Sequence, residues 1–329
     1  MSTSTGAAWV SGPTRRFALL RHLRRINWGR LAVMGVPTLW LAVFFFIPFL
    51  VVFKISLSET AIAVPPYAPI FEWDLDQTLV AIRVNFGNYL YLLEDAFYLD
   101  AYLSSVKIAA LSTLITLVIG FPMAYLIAKS RGSRRTLLLS LVILPFWTSF
   151  LLRVYAWMGI LQKHGVVNDL LLALGLIDQP LILLQTDFAV YVGIVYTYLP
   201  FMVLPLYTAL EKLDGTLLEA AADLGARPTQ SFLLVTLPLA LPGVVAGCVL
   251  VFIPAVGEFV IPALLGGSDT LMIGRVLWDE FFLNRDWPMA SAVAIVMLVV
   301  LVLPIMLIRH SSEKRADQRA GHQHSDEVA

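Results

Sequence analysis

Six stretches of mostly apolar residues, near 31–53, 102–128, 136–157, 187–209, 238–265 and 289–308, alternate with polar links along the chain. A helix needs about 20 such residues to cross the hydrocarbon of a bilayer, so each stretch is read as one crossing. The pattern predicts an all-α polytopic membrane protein with six transmembrane helices. A seventh apolar run, Val166 to Ile177, is too short to span and is read as an interfacial or packing helix. Composition agrees. The 329 residues are 59% apolar and 14% charged, with a mean hydropathy of +0.80, which excludes an ordinary soluble domain.

The polar links carry their charges unequally. Arg15, Arg16, Arg21, Arg24, Arg25 and Arg30 precede the first span, and Lys129, Arg131, Arg134 and Arg135 join the second to the third. Arg309, Lys314, Arg315 and Arg319 follow the sixth. The link after the first span is acidic instead, with Glu59, Glu72, Asp74, Asp76, Glu94, Asp95 and Asp100. The positive-inside bias therefore places both termini and the link around Glu219 in the cytoplasm. Three parts follow: a cytoplasmic segment 1–30, a transmembrane domain 31–308 and a cytoplasmic tail 309–329. No convincing cleavage site follows the first span, which is read as uncleaved. The net charge is zero and gives no footprint for nucleic acid. Cys248 is the single cysteine and lies in an apolar run, so no disulfide forms within the chain.

The outer link 54–101 is long, and Pro65, Pro66, Pro69 and Trp73 interrupt any simple helix. A loop of this length is read as a docking surface for an external partner.

Between the fourth and fifth spans lies a polar island, about 211–236. Thr216 and Glu219 stand at capping-box spacing, predicting a helix from Leu217 with Glu219 reaching back to a free N–H. Gly225 should end that helix in a left-handed conformation, and Pro228 should open a second. Glu219 and Asp223 share one face, and Ala220, Ala221 and Ala222 let another surface approach closely. The composite Glu219-Ala220-Ala221, Gly225, then Val235-Thr236-Leu237-Pro238 resembles the cytoplasmic loop signature of import-type ABC permease subunits. Val235 stands where Ile is usual. The resemblance implies the type I importer permease fold and a loop that docks on an ATPase through Glu219, Ala220, Ala221, Gly225, Leu237 and Pro238.

In the fifth span Gly243 and Gly247 form a small-xxx-small pair suited to close packing, and Pro254 should bend or break the helix. Glu258 follows at once. An ionisable residue there faces a water-filled path or a partner, lies shallow enough to reach the outer interface, or bonds a backbone group at the break. Beyond it Trp278, Asp279, Glu280, Asp286 and Trp287 interleave acids and aromatics before the sixth span. Such a group suits an organic cation, although interfacial Trp anchors and acids outside the membrane are also ordinary.

Phe252 to Pro262, Leu264-Leu265-Gly266-Gly267 and the turn Arg285-Asp286-Trp287-Pro288 resemble the putrescine/spermidine permease subunits of bacterial ABC importers, the putrescine members most of all. That resemblance runs from the first span to the sixth. It implies a heterodimer with a second, homologous permease, two copies of a cytoplasmic ATPase that binds ATP and Mg, and a periplasmic polyamine-binding protein, all at the inner membrane. Cargo would pass between the two permeases, meeting Glu258 transiently and Trp278, Asp279, Glu280, Asp286 and Trp287 at the mouth.

The chain holds no Gly-x-x-x-x-Gly-Lys-[Ser/Thr] loop, no His-Glu-x-x-His and no Gly-x-Ser-x-Gly. It is therefore read as a transport subunit, not an enzyme, with no cofactor of its own. The rivals are a permease for another solute such as sulfate, iron or thiamine, a secondary transporter that uses no ATP, and a scaffold or receptor that transports nothing.

Overall fold

A computed structural model describes residues 28–74, 79–303 and 306. The segment before Trp28, Asp76, the end of the sixth apolar stretch beyond Leu303 apart from Met306, and the tail from 309 lie outside the described residues. The backbone separates into two compact units, Met1–Lys54 and Ile55–Ala329.

The first unit holds helix α1 (Trp28–Leu41), a π turn (Ala42–Phe46) and most of α2 (Ile47–Ser56). Val33–Ser56 is long and apolar enough to cross a membrane. Its side chains from Val33 to Pro48 are all exposed. The π turn sits just before Pro48, and the Ile47 N–H reaches the Ala42 carbonyl. A proline has no N–H for the carbonyl four residues back, and its ring crowds that oxygen; a widened turn relieves both. The same device recurs at Phe232–Thr236, before Pro238.

The second unit opens with the outer link, which is more ordered than its prolines imply. It contains an antiparallel pair, β1 (Phe71–Asp74) and β2 (Leu79–Ile82), so the fold is helical with one hairpin in a loop. Helix α3 (Gly87–Glu94) follows. Helix α4 (Ala96–Lys129) starts six residues before the expected second span, because Asp95 caps it by accepting from the Phe97 N–H at 2.9 Å. At 34 residues α4 exceeds what the hydrocarbon needs.

The third apolar stretch is not one straight crossing. Helix α5 (Ser133–Ile143) continues as a 3-10 turn (Leu144–Trp147), breaks at Thr148-Ser149 and resumes as α6 (Phe150–Leu161). With α7 (Val166–Ala173) the second half lies 93° from the first. Helix α8 (Asp187–Glu211) is the fourth crossing. Helices α9 (Gly215–Asp223) and α10 (Pro228–Ser231) form the link expected to be cytoplasmic, and α11 (Leu237–Val256) carries the fifth. The expected fifth span to 265 ends early: Gly257 stops α11, and the apolar run resumes as the short α12 (Val260–Leu265). Helices α13 (Ile273–Phe282) and α14 (Trp287–Leu303) complete the described chain. Among the described residues four helices are long enough to cross, or five when the bent pair is one span. The sixth expected span is represented by α14.

Helices α4, α8 and α11 pack around the core of Ile108, Ala109, Ala124, Ile194, Met202, Leu206 and Val251. Hydrocarbon gives helices little hydrophobic reason to associate, so close backbone approach carries the packing. A Cβ on Gly243 would lie 2.5 Å from Ala209 Cβ and 2.8 Å from the Pro205 carbonyl oxygen, and one on Gly247 would lie 2.7 Å from Met202 Sδ. The small-xxx-small pair is thus the seam of α8 with α11. Polar ties hold the periphery. Arg135 on α5 pairs with Glu211 at the end of α8, and Tyr102 O–H donates to the Val293 carbonyl at 2.7 Å.

Gly243→Leu should cost about 1–3 kcal/mol or more, lowering the unfolding midpoint of detergent-purified protein. Gly35→Leu, whose Cβ meets nothing within 4 Å, should not. Equal midpoints for the two variants would contradict this packing.

Candidate functional site

The link between α8 and α11 is built by caps. Asp214 accepts from the Thr216 N–H at 3.0 Å and starts α9 at Gly215, two residues before the expected Leu217. Thr216 thus lies inside the helix and gives up its backbone N–H, not a capping side chain. That N–H holds the exposed Asp214 carboxyl below its ordinary value, so the cap is present at neutral pH and is lost as pH falls through the depressed value. The end matches expectation. Gly225 has φ +79°, its N–H reaches the Ala222 carbonyl, and the Ala226 N–H reaches Ala221. These two bonds make the left-handed termination for which Gly carries no steric penalty. Pro228 opens α10, and Gln230 reaches back to the Arg227 N–H at 2.9 Å.

Glu219, Ala220 and Gly225 are exposed on this link, Ala221 and Leu237 are half-buried, and Pro238 is exposed. Leu224 is 90% exposed, Leu234 75% and Leu233 57%. These apolar side chains stand open beside the carboxylates of Glu219 and Asp223. Phe232 packs edge-to-face on Phe121, with centroids 5.4 Å apart, and fastens the link to α4.

At the break after α11, Glu258 is 8% exposed. Its Oε2 accepts from Tyr198 O–H at 2.6 Å, and its Oε1 accepts from the N–H groups of Val260 (3.1 Å) and Ile261 (3.4 Å). The carboxyl thus caps α12 and ties it to α8. The backbone bond at the break after Pro254, one of the readings open from sequence, is present in this geometry. Close approaches seat the break: a Cβ on Gly274 would lie 2.4 Å from the Gly257 carbonyl oxygen, and one on Gly193 would lie 2.7 Å from Leu265 Cδ1.

The mouth lies on α13 and the turn into α14. Trp278 stacks on Phe259 at 4.3 Å with planes 10° apart, which brings it beside the Glu258 break. Glu280 accepts from Tyr98 O–H at 2.8 Å and from Asn284 Nδ2 at 2.9 Å. Asp286 caps α14 by accepting from the Met289 N–H at 3.0 Å, and also accepts from Thr60 Oγ1 of the outer link at 2.7 Å. Trp287 stacks on Phe281 at 4.9 Å, and the tilted Tyr67 ring lies 6.3 Å from it. Asp279 points elsewhere, 4.0 Å from Arg275 one turn back. The fold therefore unites Glu280, Asp286 and Trp287 with Tyr98, Thr60 and Tyr67, sets Trp278 against the break, and leaves Asp279 apart. Sequence reading missed Tyr98, Tyr198, Thr60 and Tyr67. Their partners lie between 60 and 226 residues away, and no local spacing records them.

Comparison with known proteins places this geometry. Residues 116–317 match the family described as binding-protein-dependent transport system inner membrane component. The chain is 44% identical over 227 residues to the spermidine/putrescine transport system permease protein PotB of Haemophilus influenzae, covering 69% of this chain and 79% of that protein. It is 40% identical over 273 residues to PotB of Escherichia coli K12, covering 83% and 94%. In fold it is similar, with a TM-score of 0.66 at 17% identity, to a chain of a bacterial ABC transporter that imports the acidic polysaccharide alginate, over 90% of this chain and 99% of that one. The match over more than half of the chain, with relatives of this identity over most of their length, makes the chain a member of the binding-protein-dependent transport system inner membrane components, a multi-pass permease subunit.

Proposed function

We propose that this permease carries polyamines, putrescine or spermidine, inward across the cytoplasmic membrane, driven by an ATPase on a separate polypeptide. The observation that carries the reading is the identity shared with permeases named for these cargoes over most of both chains. The fold alone does not choose the cargo, because the alginate transporter shares it and moves an acid.

In this reading both termini are cytoplasmic, a second permease completes the pathway, and two ATPase copies bind ATP and Mg. A periplasmic binding protein delivers cargo to the mouth near the outer link. Leu224, Leu233 and Leu234 enter the ATPase groove beside Glu219, while the Gly225 turn sets the angle between α9 and α10. Closure of the ATPase pair pushes this link, and α11 transmits the push to the break at Glu258. The membrane helices then exchange inward and outward access, a two-state change biased by nucleotide and by the loaded binding protein.

Cargo meets carboxylates backed by aromatic faces, Glu280 and Asp286 with Trp287 and Tyr67, then the Trp278 stack. Such faces attract ammonium groups. Glu258 contributes its carboxyl from behind Tyr198, so direct contact with cargo requires Tyr198 to turn away. Affinity stays modest at each point, because the binding protein captures the cargo and the path must release it.

Proteoliposomes holding the whole transporter should take up labelled polyamine only with ATP inside and binding protein outside. Uptake of sulfate and not of polyamine would overturn the cargo. Gly225→Val forces a β-branched residue into φ +79° and should cut uptake about tenfold or more, a loss of more than 1.4 kcal/mol of coupling, through failed assembly or uncoupled hydrolysis; normal uptake would contradict the lever. Glu258→Ala leaves Tyr198 O–H and two backbone N–H groups without their acceptor, at about 1–3 kcal/mol each, and should lower the unfolding midpoint. Glu258→Gln keeps an acceptor and should fold, with polyamine uptake reduced severalfold. Unchanged uptake in the Gln variant would remove Glu258 from the path.

A further inference from the structure

The turn that joins α4 to α5 gathers basic side chains beside two openings in the protein surface. Lys129 ends α4, and Arg131, Arg134 and Arg135 follow closely. Arg135 is committed within the fold: it pairs with Glu211 and donates to the Ser130 carbonyl at 3.0 Å and the Ala128 carbonyl at 3.4 Å. Lys129 lies over the Tyr125 ring at 4.6 Å. Arg131 and Arg134 are exposed and reach no carboxylate, carbonyl or ring among the described residues.

One opening follows the first two turns of α5 and is lined by Ser133, Arg134, Thr136, Leu137 and Ser140. Hydroxyls on apolar helices commonly bond the carbonyl four residues back, as Thr113, Thr116 and Ser130 do at 2.6–2.8 Å. Ser133, Thr136 and Ser140 have no side-chain partner of any kind among the described residues, so this opening sets free hydroxyls beside a free guanidinium. Gly132, just before the helix, has no side chain to cap it. The other opening is a groove of about 260 Å³ between α4, α5 and α8, walled by Met123, Leu126, Leu138, Leu141, Tyr196 and Pro200. The two share one helix. Positions 134, 138 and 141 follow at helical spacing, so Arg134 heads the stripe whose Leu138 and Leu141 wall the groove. From Arg134 to Leu141 that stripe rises about 10 Å at 1.5 Å per residue.

A ligand that fits both openings is an anion at one end and hydrocarbon at the other. A free phosphate would leave the groove empty, and a purely apolar molecule would leave the guanidinium and the hydroxyls unpaired. Helix α4 is apolar and long enough to cross a membrane, and its apolar run stops at Ala128. The basic turn therefore stands at the end of a crossing, where hydrocarbon gives way to headgroups. There a planar guanidinium matches phosphate oxygens in pairs, and basic pockets between membrane helices attract anionic headgroups.

We infer that the α4–α5 turn binds an anionic glycerophospholipid, with its phosphate on Arg131 and Arg134, its headgroup hydroxyls among Ser133, Thr136 and Ser140, and one acyl chain in the groove between α4, α5 and α8. The site needs only that the chain is a membrane permease, whatever its cargo. It adjoins a joint of the fold, because Arg135, next to Arg134, holds Glu211 at the end of α8. A lipid seated there braces α5 against α4 and α8.

The test titrates the delipidated complete transporter with dioleoyl phosphatidylglycerol, or with dioleoyl phosphatidylcholine of the same tails, and counts retained lipid by native mass spectrometry. Phosphatidylglycerol should bind about tenfold more tightly. Arg131→Gln combined with Arg134→Gln should remove that advantage. Leu141→Trp fills the groove, leaves both arginines in place and should weaken phosphatidylglycerol binding about tenfold as well. Lys163→Gln, at an exposed base on another loop, should change nothing. Phosphatidylglycerol should also raise the unfolding midpoint of the unaltered transporter more than phosphatidylcholine does, an arm that decides the matter if the variants fold poorly. Equal affinity and equal midpoints with the two lipids, undiminished binding in the double arginine variant or in Leu141→Trp, or displacement of the lipid by inorganic phosphate would overturn the inference. The readout is binding, so a failure to transport polyamine would leave it untouched.

Discussion

Hydrocarbon supplies no hydrogen bonds, so each interruption of a helix inside the membrane must be repaired by the protein itself. The break after Val256 is the place where the fold depends most on such a repair. Glu258 accepts from two N–H groups of α12 and from Tyr198 on α8, and Gly274 lets the turn lie against α13. These contacts hold the apolar run 238–265 in two helices, α11 ending at Val256 and α12 starting at Val260. The same turn sets Phe259 under Trp278, so the outer mouth is positioned by the inner break. One carboxyl group thus determines where a helix ends, which helix it leans on and where the aromatic face of the mouth stands.

The other end of that element is governed by local caps in water. Asp214, Gly225 and Pro228 shape α9 and α10, while π turn and α11 carry the chain from the link to the break as one continuous apolar helix, Pro228–Val256. Its close seam with α8, through Gly243 and Gly247, makes it a stiff element and not a hinge. In the proposed function, a push on the exposed leucines of this link would reach Glu258 along this helix. The outer link then touches the far end, where Thr60 donates to Asp286 at the start of α14.

What was legible in the sequence follows the range of each interaction. Gly225 and Pro228 could be read because a left-handed stop and a proline start depend on one residue each. Thr216 was misread as a cap because Asp214, two positions earlier, already opens the helix by accepting from the Thr216 N–H, which leaves Thr216 inside it. Hydropathy found the third span but not its 93° bend, since the residues on both sides of Thr148-Ser149 are equally apolar and hydropathy has no direction. Glu258 stood out as an acid in an apolar run, yet its role was set by Tyr198, 60 positions away.

The central claim is mechanical, that motion of the cytoplasmic link reaches the outer mouth through α11 and the Glu258 break. The most direct measurement is the distance between spin labels on Ala222 and Asn284, placed in a Cys248→Ser background within the complete transporter. The distance distribution should shift when ATP and the loaded binding protein are both present and return after hydrolysis. An unchanging distance while ATP is consumed and cargo crosses would contradict the account.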